Sequence, residues 1–396
     1  MSRKKLLFIV HSLRRAGAQT QLVDLVNNLS NERYEKHLFT IEPQMDLLDR
    51  LDQDNVRLYN KQRRFKYDLL SVAREIARVI DEQEIDLVHC TLQFPMLLGW
   101  IGTKMATRIP RFVTVVHTTH NRSTKTELQD RLLYQHLLRR CDRVFFVCEK
   151  QRDVWLRKYP RLKANSVVVH NGIDADFFAV QNSPKTLQPQ RQDLAIADDD
   201  DVLCCIARFR PEKGHKHLLD AVAGLEPSPH LLLAGDGELQ AEIENHADTL
   251  GIRERVHFLG SLPDVRGVLM ASDLSVLAST AVETFSMTML ESMSMGVPVV
   301  ATDIGGMSEA IVPGETGDLV PPGDADALRE ALARLLDDKE KLAVIGQRCR
   351  ELVLERFTTD KMVSATDAVI DAVLSGREDT ADTSNYINRA SHGTEQ

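Results

Sequence analysis

Apolar residues recur along this chain in two rhythms. Short runs at 6–11, 85–89, 112–117, 144–147 and 167–169 are dense in Val, Ile, Leu and Phe, the pattern of strands buried on both faces. Between them, apolar positions return every three or four residues. Leu22, Leu25, Val26 and Leu29 share a helical face over 18–29, and Leu70, Ala73, Ile76, Ala77 and Ile80 share one over 67–81. An apolar helix is predicted over 95–107. Another, capped by Ser123 and running to Arg140, should turn Leu128, Leu132, Leu133 and Leu137 inward. Near Phe178 the alternation stops. Residues 181–201 are polar and aperiodic, which predicts a linker. Strands then resume at 202–207, 230–234, 256–259, 274–277 and 297–301, with helices between them and further helices at 324–336 and 340–355.

Strands alternating with helices predict a doubly wound parallel sheet, and the restart predicts a second one. The expected fold class is α/β, with two Rossmann-like halves at 1–178 and 179–352. A cleft is expected between the halves, with ligands at the carboxyl ends of the strands. The tail, 376–396, is polar and expected to be disordered.

Composition narrows the function classes. With 43% apolar and 27% charged residues in 396, the chain is neither collagen, nor a coiled-coil rod, nor globally disordered. No apolar run approaches the roughly 18 residues of a membrane span. The basic start is followed by an apolar stretch too short for a signal peptide, since it stops at His11. The six cysteines form no C-x-x-C pair and sit in apolar surroundings. Buried thiols and a cytoplasmic location are therefore expected.

The net charge of −9 conceals a split: residues 1–175 carry 30 Lys and Arg against 20 Asp and Glu, so +10, leaving −19 for the rest. A basic half predicts an anionic partner. Lys61, Arg63, Arg64 and Lys66 interleave with Phe65 and Tyr67, and a second group comprises Arg139, Arg140, Arg143, Arg152, Arg157, Lys158, Arg161 and Lys163. No nucleic-acid reader motif accompanies them, so no nucleic-acid partner is expected. An anionic membrane or phosphorylated lipid acceptor is the specific expectation, against a merely solvated surface.

The chemistry concentrates in the second half. Glu283 and Glu291 flank the start of a helix that follows the strand at 274–277 and ends at Gly296. The N–H groups of Phe285, Ser286, Met287 and Thr288 would suit a phosphate. Eight residues of helical rise separate the carboxylates by roughly 12 Å, too far to share one carbon but suited to the two ends of a nucleotide-sugar. The competing reading makes Glu283 a helix-dipole acid and Glu291 a solvated face. Arg208 and Lys213, just after the strand at 202–207, could neutralise a diphosphate and the charge that grows as it leaves. Gly17, at the start of the first helix, lets a phosphate or sugar approach the backbone. Gly235 and Gly237 lack the third glycine of a dinucleotide fingerprint, so NAD is not expected. Asp174 with Asp176, and the run Asp198, Asp199, Asp200 and Asp201, read as turn and linker residues rather than metal ligands. Structural roles are expected for His89, His120 and His170, and core packing for Met287, Met289, Met293 and Met295.

In order and spacing these motifs resemble one family: the retaining glycosyltransferases of the GT-B fold, glycosyltransferase family 4 (group 1). The match runs over nearly the whole chain and is strongest from Glu283 to Glu309. Arg208 to Gly214, Asn171-Gly172-Ile173-Asp174, Gly235-Asp236-Gly237 and Gly17 add to it. The resemblance implies two Rossmann-like domains with parallel sheets facing a central cleft. The first, 1–178, would take the acceptor and the second, 179–352, the nucleotide-sugar donor. A C-terminal helix over about 353–374 would cross back onto the first.

The family roles would put Glu291 on the ribose and Glu283 on the donor hexose. Arg208, Lys213 and the N–H groups at 286–288 would hold the diphosphate, with Gly17 on the phosphates, His117 at the sugar and the base near Phe258 to Leu262. Transfer would retain configuration, require no metal or other cofactor, and use a UDP-sugar as the commonest donor. The acceptor would be a glycan or lipid-linked sugar in polysaccharide or lipopolysaccharide synthesis, with the enzyme peripheral on the inner face of the membrane. Thr284 and Ser286 stand where the family often has glycine, and Ala16-Gly17 where it has two; the side chains would narrow the sugar pocket. The alternatives are a nucleotide-sugar epimerase of the same fold and a noncatalytic membrane-docking scaffold.

Overall fold

A computed structural model describes residues 3–65, 68–119, 124–184 and 186–377. The chain forms two compact units. One contains residues up to Gly172 together with those from Thr359 onward; the other is Ile173–Thr358.

The first unit is a seven-stranded parallel sheet. Its strands are β1 (Lys4–Val10), β2 (Tyr34–Thr40), β3 (Val56–Asn60), β4 (Leu87–Thr91), β5 (Arg111–Val116), β6 (Arg143–Phe146) and β7 (Ser166–Val168), in the order β3-β2-β1-β4-β5-β6-β7. Strand periodicity builds both faces at once. In β1, Leu6, Phe8 and Val10 enter one core layer while Leu7 and Ile9 enter the other. Helices Gly17–Asn28 and Thr359–Ser375 cover the first layer, and Leu69–Glu82 and Gln93–Met105 the second. The switch of strand order beside β1 puts the ends of β1 and β4 where ligands gather in such sheets.

The second unit repeats the scheme with six parallel strands: β8 (Val202–Ile206), β9 (His230–Ala234), β10 (Val256–Gly260), β11 (Leu274–Leu277), β12 (Val299–Thr302) and β13 (Gly317–Val320), in the order β10-β9-β8-β11-β12-β13. Again the order switches beside the first strand, β8, so the chemistry-bearing loops after β8 and β11 emerge side by side. Among the described residues, no helix is long and apolar enough to cross a membrane. All six cysteines are buried free thiols.

Several expectations need correction. Strands β2, β3 and β13 escape the sequence reading. β2 carries Lys36 and His37 into the interior, where Lys36 Nζ donates to the Leu29 carbonyl at 2.9 Å. The units divide after Gly172 rather than after Phe178, and the returning helix starts at Thr359 rather than near Val353. Val353 instead belongs to helix Lys339–Arg356, which the second unit holds: Arg350 donates to the carbonyls of Phe178 (3.1 Å) and Ser294 (2.5 Å). Phe357, fully buried, packs on Phe285 with ring centroids 5.3 Å apart. Of the four leucines expected inward after β5, only Leu137 is buried. Leu128, Leu132 and Leu133 are 54%, 66% and 39% exposed. Nine residues of ordinary α-helix already set Leu128 and Leu137 on opposite sides; a π turn at Asp130–Tyr134 lies between the α-helical segments Thr124–Gln129 and Gln135–Leu138, and Asp130 and Tyr134 are the residues buried there. Leu70, also expected inward, is exposed one residue into its helix. The proposed cap Ser123, together with His120, Lys66, Tyr67 and the tail from 378, lies outside the described residues.

Candidate active site

In the second unit the chain climbs β11, turns through Ser279 and Thr280, and reaches Glu283 three residues before the Ser286 cap of helix Met287–Ser294. Ser286 Oγ accepts the Met289 N–H at 3.4 Å, and the N–H groups of Met287 and Thr288 precede the first intrahelical bond, Leu290 N–H to the Ser286 carbonyl. The Phe285 side chain is buried, its ring against that of Phe357. The helix begins later than expected. Only Met287 to Glu291 rises at the helical 1.5 Å per residue, so the 12 Å spacing of the two acids does not follow from helix geometry. Glu291 is half-buried on this helix, and Gly296 ends it with φ +75°.

Glu283 is held from several sides. Lys213, from the short turn Pro211–Lys213 after β8, places Nζ 2.6 Å from Glu283 Oε2, and Ser279 Oγ donates to the same oxygen at 3.1 Å. The carboxylate is only 14% exposed and the ammonium 26%, so the pair is weakly screened. Beneath them, Thr302 Oγ1 donates to the Ser279 carbonyl at 2.6 Å. The backbone is held with equal firmness. Val282 adopts φ +47°, a strained value for a β-branched residue. Gly305, at φ +57°, lies so close that a Cβ there would meet the Glu283 carbonyl oxygen at 2.4 Å, and the Gly306 N–H donates to Thr284 at 2.6 Å. Ser279 is not legible as a site residue in the pattern of the chain, because nothing local marks it; Val282 and Gly305 fall within the stretches the sequence singles out, but their hold on Glu283 does not show there.

Arg208, two residues beyond β8, is exposed and pairs with Asp236 at 3.2 Å. The structure thus joins Lys213 to Glu283 directly and Arg208 to the Gly235-Asp236-Gly237 turn. Phe258 packs against Phe209 with centroids 6.0 Å apart, and Arg253 lies over its ring at 5.1 Å. Asp174 is a turn residue, its Oδ1 accepting the N–H groups of Asp176 and Phe177. Asp201 pairs with Lys339, and Asp200 with Arg255.

In the first unit, Gly17 is the exposed first residue of its helix and His117 follows β5. A small cavity opens beside His117, lined by Ala18, Gln21, His89, His117, Asn171 and Met362 among others. Burial pushes the His117 and His89 imidazoles down to about 4, so both are neutral at pH 7. Gln21 was not singled out by the sequence, although a polar residue beside Leu22 on a buried face was a signal. Its amide donates to the Gly172 carbonyl at 2.7 Å and accepts the Gly172 N–H at 2.9 Å, tying the first helix to the Asn171-Gly172 turn.

Comparison with known proteins bears on the family and the fold. Residues 188–352 match the model for glycosyl transferases group 1, and residues 15–177 that for glycosyltransferase family 4. The N-acetyl-alpha-D-glucosaminyl L-malate synthase of Bacillus anthracis is 28% identical over 313 residues, covering 78% of this chain and 80% of that protein. The UDP-Gal:alpha-D-GlcNAc-diphosphoundecaprenol alpha-1,3-galactosyltransferase of Escherichia coli is 25% identical over 377 residues, covering 91% and 95%. Among solved structures, Anabaena HepE in complex with UDP superposes with a TM-score of 0.82 at 24% identity, covering 93% of this chain and all of the other. With one family model on each unit, and that fold beneath both, this chain belongs to the group 1 (family 4) glycosyltransferases of GT-B architecture.

Proposed function

We propose that the protein transfers a hexosyl group from a nucleoside diphosphate sugar to a glycan or lipid-linked acceptor, with retention of configuration. The observation that carries this reading is the Lys213–Glu283 pair, backed by Ser279 and seated at the N-terminus of helix Met287–Ser294. An ammonium has three donors and Glu283 takes one, so Lys213 can serve a phosphate without surrendering the acid. On this reading Lys213, Arg208 and the N–H groups of Ser286, Met287 and Thr288 hold the diphosphate. Glu283 receives the hexose hydroxyls and Glu291 the ribose. Gly17 belongs to the phosphates and His117, as a neutral imidazole, to the sugar. The bond from the anomeric carbon to the leaving phosphate breaks as the acceptor oxygen bonds to that carbon on the same face, and the acceptor proton passes to the departing phosphate. The cations stabilise the charge that grows there, so no metal or other cofactor is assigned a part.

UDP is the proposed nucleotide. HepE has been solved with UDP and with UDP-glucose, and the Escherichia coli relative is named for UDP-Gal and a diphosphoundecaprenol acceptor. Such an acceptor places the reaction on the cytoplasmic side of a membrane, in polysaccharide or lipopolysaccharide synthesis. The test is a donor screen reading release of free nucleoside diphosphate with and without glycan acceptors, followed by NMR of the new anomeric centre. An inverted linkage overturns the retaining assignment. Conversion of the UDP-sugar without acceptor makes the protein an epimerase, and failure to bind any nucleotide makes it a scaffold.

A further inference from the structure

His117 stands where the first sheet runs out. The last rung between β5 and β6 pairs Val116 with Phe146, and His117, Thr118 and Thr119 then leave the strand. Backbone groups buried at such an end need partners from elsewhere. One helix provides them. Helix Glu149–Lys158, which follows β6, presents Gln151 and Trp155 four residues apart on one face. Gln151 is fully buried and Trp155 nearly so. Gln151 Oε1 accepts the Val147 N–H at 2.9 Å, while Nε2 donates to the Val116 carbonyl at 2.8 Å. The side-chain amide thus bridges β5 and β6 as one more peptide rung would. The same Nε2 donates to the Thr118 carbonyl at 3.1 Å, and Trp155 Nε1 donates to that carbonyl at 2.9 Å. The peptides on either side of His117 are therefore gripped from a single helix.

This grip bears on what His117 can do. Burial pushes its imidazole down to about 4, so at pH 7 the ring has one N–H and one lone pair. A neutral ring that turns or shifts offers a sugar hydroxyl the wrong nitrogen, and misplacement by about 1 Å costs about a hundredfold. The Trp155 ring is itself wedged, its centroid 6.2 Å from that of Phe146 and 5.7 Å from that of Tyr159. Gln151 stands in the charged run Glu149 to Asp153, where exposure is the ordinary expectation, and its complete burial singles it out. The competing account is that both side chains only satisfy two carbonyls that burial would otherwise strand. That account requires lost stability when they are removed, but no effect routed through one imidazole.

We propose that Gln151 and Trp155 are positioning residues, which act on the transferred sugar through His117 by fixing the backbone that carries it. The inference rests on the reading above that places His117 at the sugar.

Steady-state kinetics of the full-length protein with the screened donor should compare two variants. Gln151→Met keeps the length but not the amide, and Trp155→Phe keeps a ring but not the N–H. Each should lower kcat by about ten- to a hundredfold. Each should leave the donor KM within about twofold, because Arg208, Lys213 and Glu291 lie in the second unit. In a His117→Ala background, Gln151→Met should cost nothing further. Ile80→Ala, an equally buried change in the same apolar layer as Trp155, controls for lost stability and should keep kcat. NMR of the histidine-labelled protein reads the ring without turnover. The His117 signal, assigned by its loss in His117→Ala, should broaden or split in Gln151→Met and stay single in Ile80→Ala. Trp155→Phe carries both tests should Gln151→Met fail to fold. Equal kcat losses in Gln151→Met and Ile80→Ala, a loss that adds to that of His117→Ala, or an unchanged His117 signal overturns the inference and leaves the sugar-site reading standing. A wild-type rate in His117→Ala overturns that reading, and this role with it.

Discussion

Gly305 offers a sharp test of how Glu283 is positioned. Substitution by alanine has two separable effects. The first is conformational: at φ +57° an L side chain costs about 1–2 kcal/mol. The second is steric. The new Cβ would sit 2.4 Å from the Glu283 carbonyl oxygen and 2.7 Å from that of Thr284, whereas ordinary contact begins near 3.4 Å. The Glu283 backbone, already strained at Val282, must therefore move by about 1 Å, a displacement that costs a preorganised site about a hundredfold. Gly314→Ala is the matched control, since it shares the left-handed backbone (φ +79°) but would place its Cβ in open space. Thermal melts and calorimetric UDP titrations of both variants separate the effects. Gly314→Ala should lose about 1–2 kcal/mol of stability and keep nucleotide affinity and turnover. Gly305→Ala should lose more stability and about a hundredfold in turnover. If the two variants behave alike in turnover, the contact beneath Glu283 does not position it, and this account of the site is wrong.

Other outcomes follow from the same geometry. Glu291→Ala should raise the donor KM with little change in kcat, whereas Lys213→Ala should mainly lower kcat; steady-state kinetics with the screened donor distinguishes them. Lys213→Met and Glu283→Gln, alone and together, should show a coupling of about 1–3 kcal/mol in chemical denaturation, because each single change strands a poorly exposed partner. Stability should also fall with acid. His89 and His215 are buried with both ring nitrogens unpartnered among the described residues, and burial pushes each down to about 4. A folded-state value below the unfolded 6.5 means the unfolded chain binds more protons, so their contribution is intact above pH 6.5 and drains away toward pH 4. Burial holds His37 and His117 at about 4 as well, so about 1.5 kcal/mol per histidine should vanish between pH 6.5 and 5, and urea titrations should show that loss reduced by about 1.5 kcal/mol in His215→Phe.

The architecture was legible because parallel strands must be apolar on both faces and crossover helices on one. The sequence could not miss 6–11 or 202–207, since runs so apolar have few alternatives to a sheet centre. It missed β2 and β13 because their inward positions include Lys36, His37 and Gly317, which no periodicity rewards. The leucines at 128, 132 and 133 misled for the opposite reason. Neighbouring pairs among them keep helical spacing, but Leu128 and Leu137 stand half a turn out of phase, so one buried stripe cannot take them all. At the site, Glu283 and Lys213 could be suspected from residue type and from their place at strand ends. Their contact could not, because it joins residues 70 apart through two loops that meet only once β8 and β11 pair.

The order in which the chain is made gives the closing helix a further consequence. Met362, Val363, Val369, Ile370 and Val373 complete an apolar layer begun by β1 and helix Gly17–Asn28, yet the ribosome must first produce all of Ile173–Thr358. At ordinary translation rates of about 5–20 residues per second, the nascent first unit waits about 10–40 s with one layer of its core incomplete. During that interval it is a client for chaperones, and a message truncated anywhere before codon 359 would yield a product that never acquires its last wall.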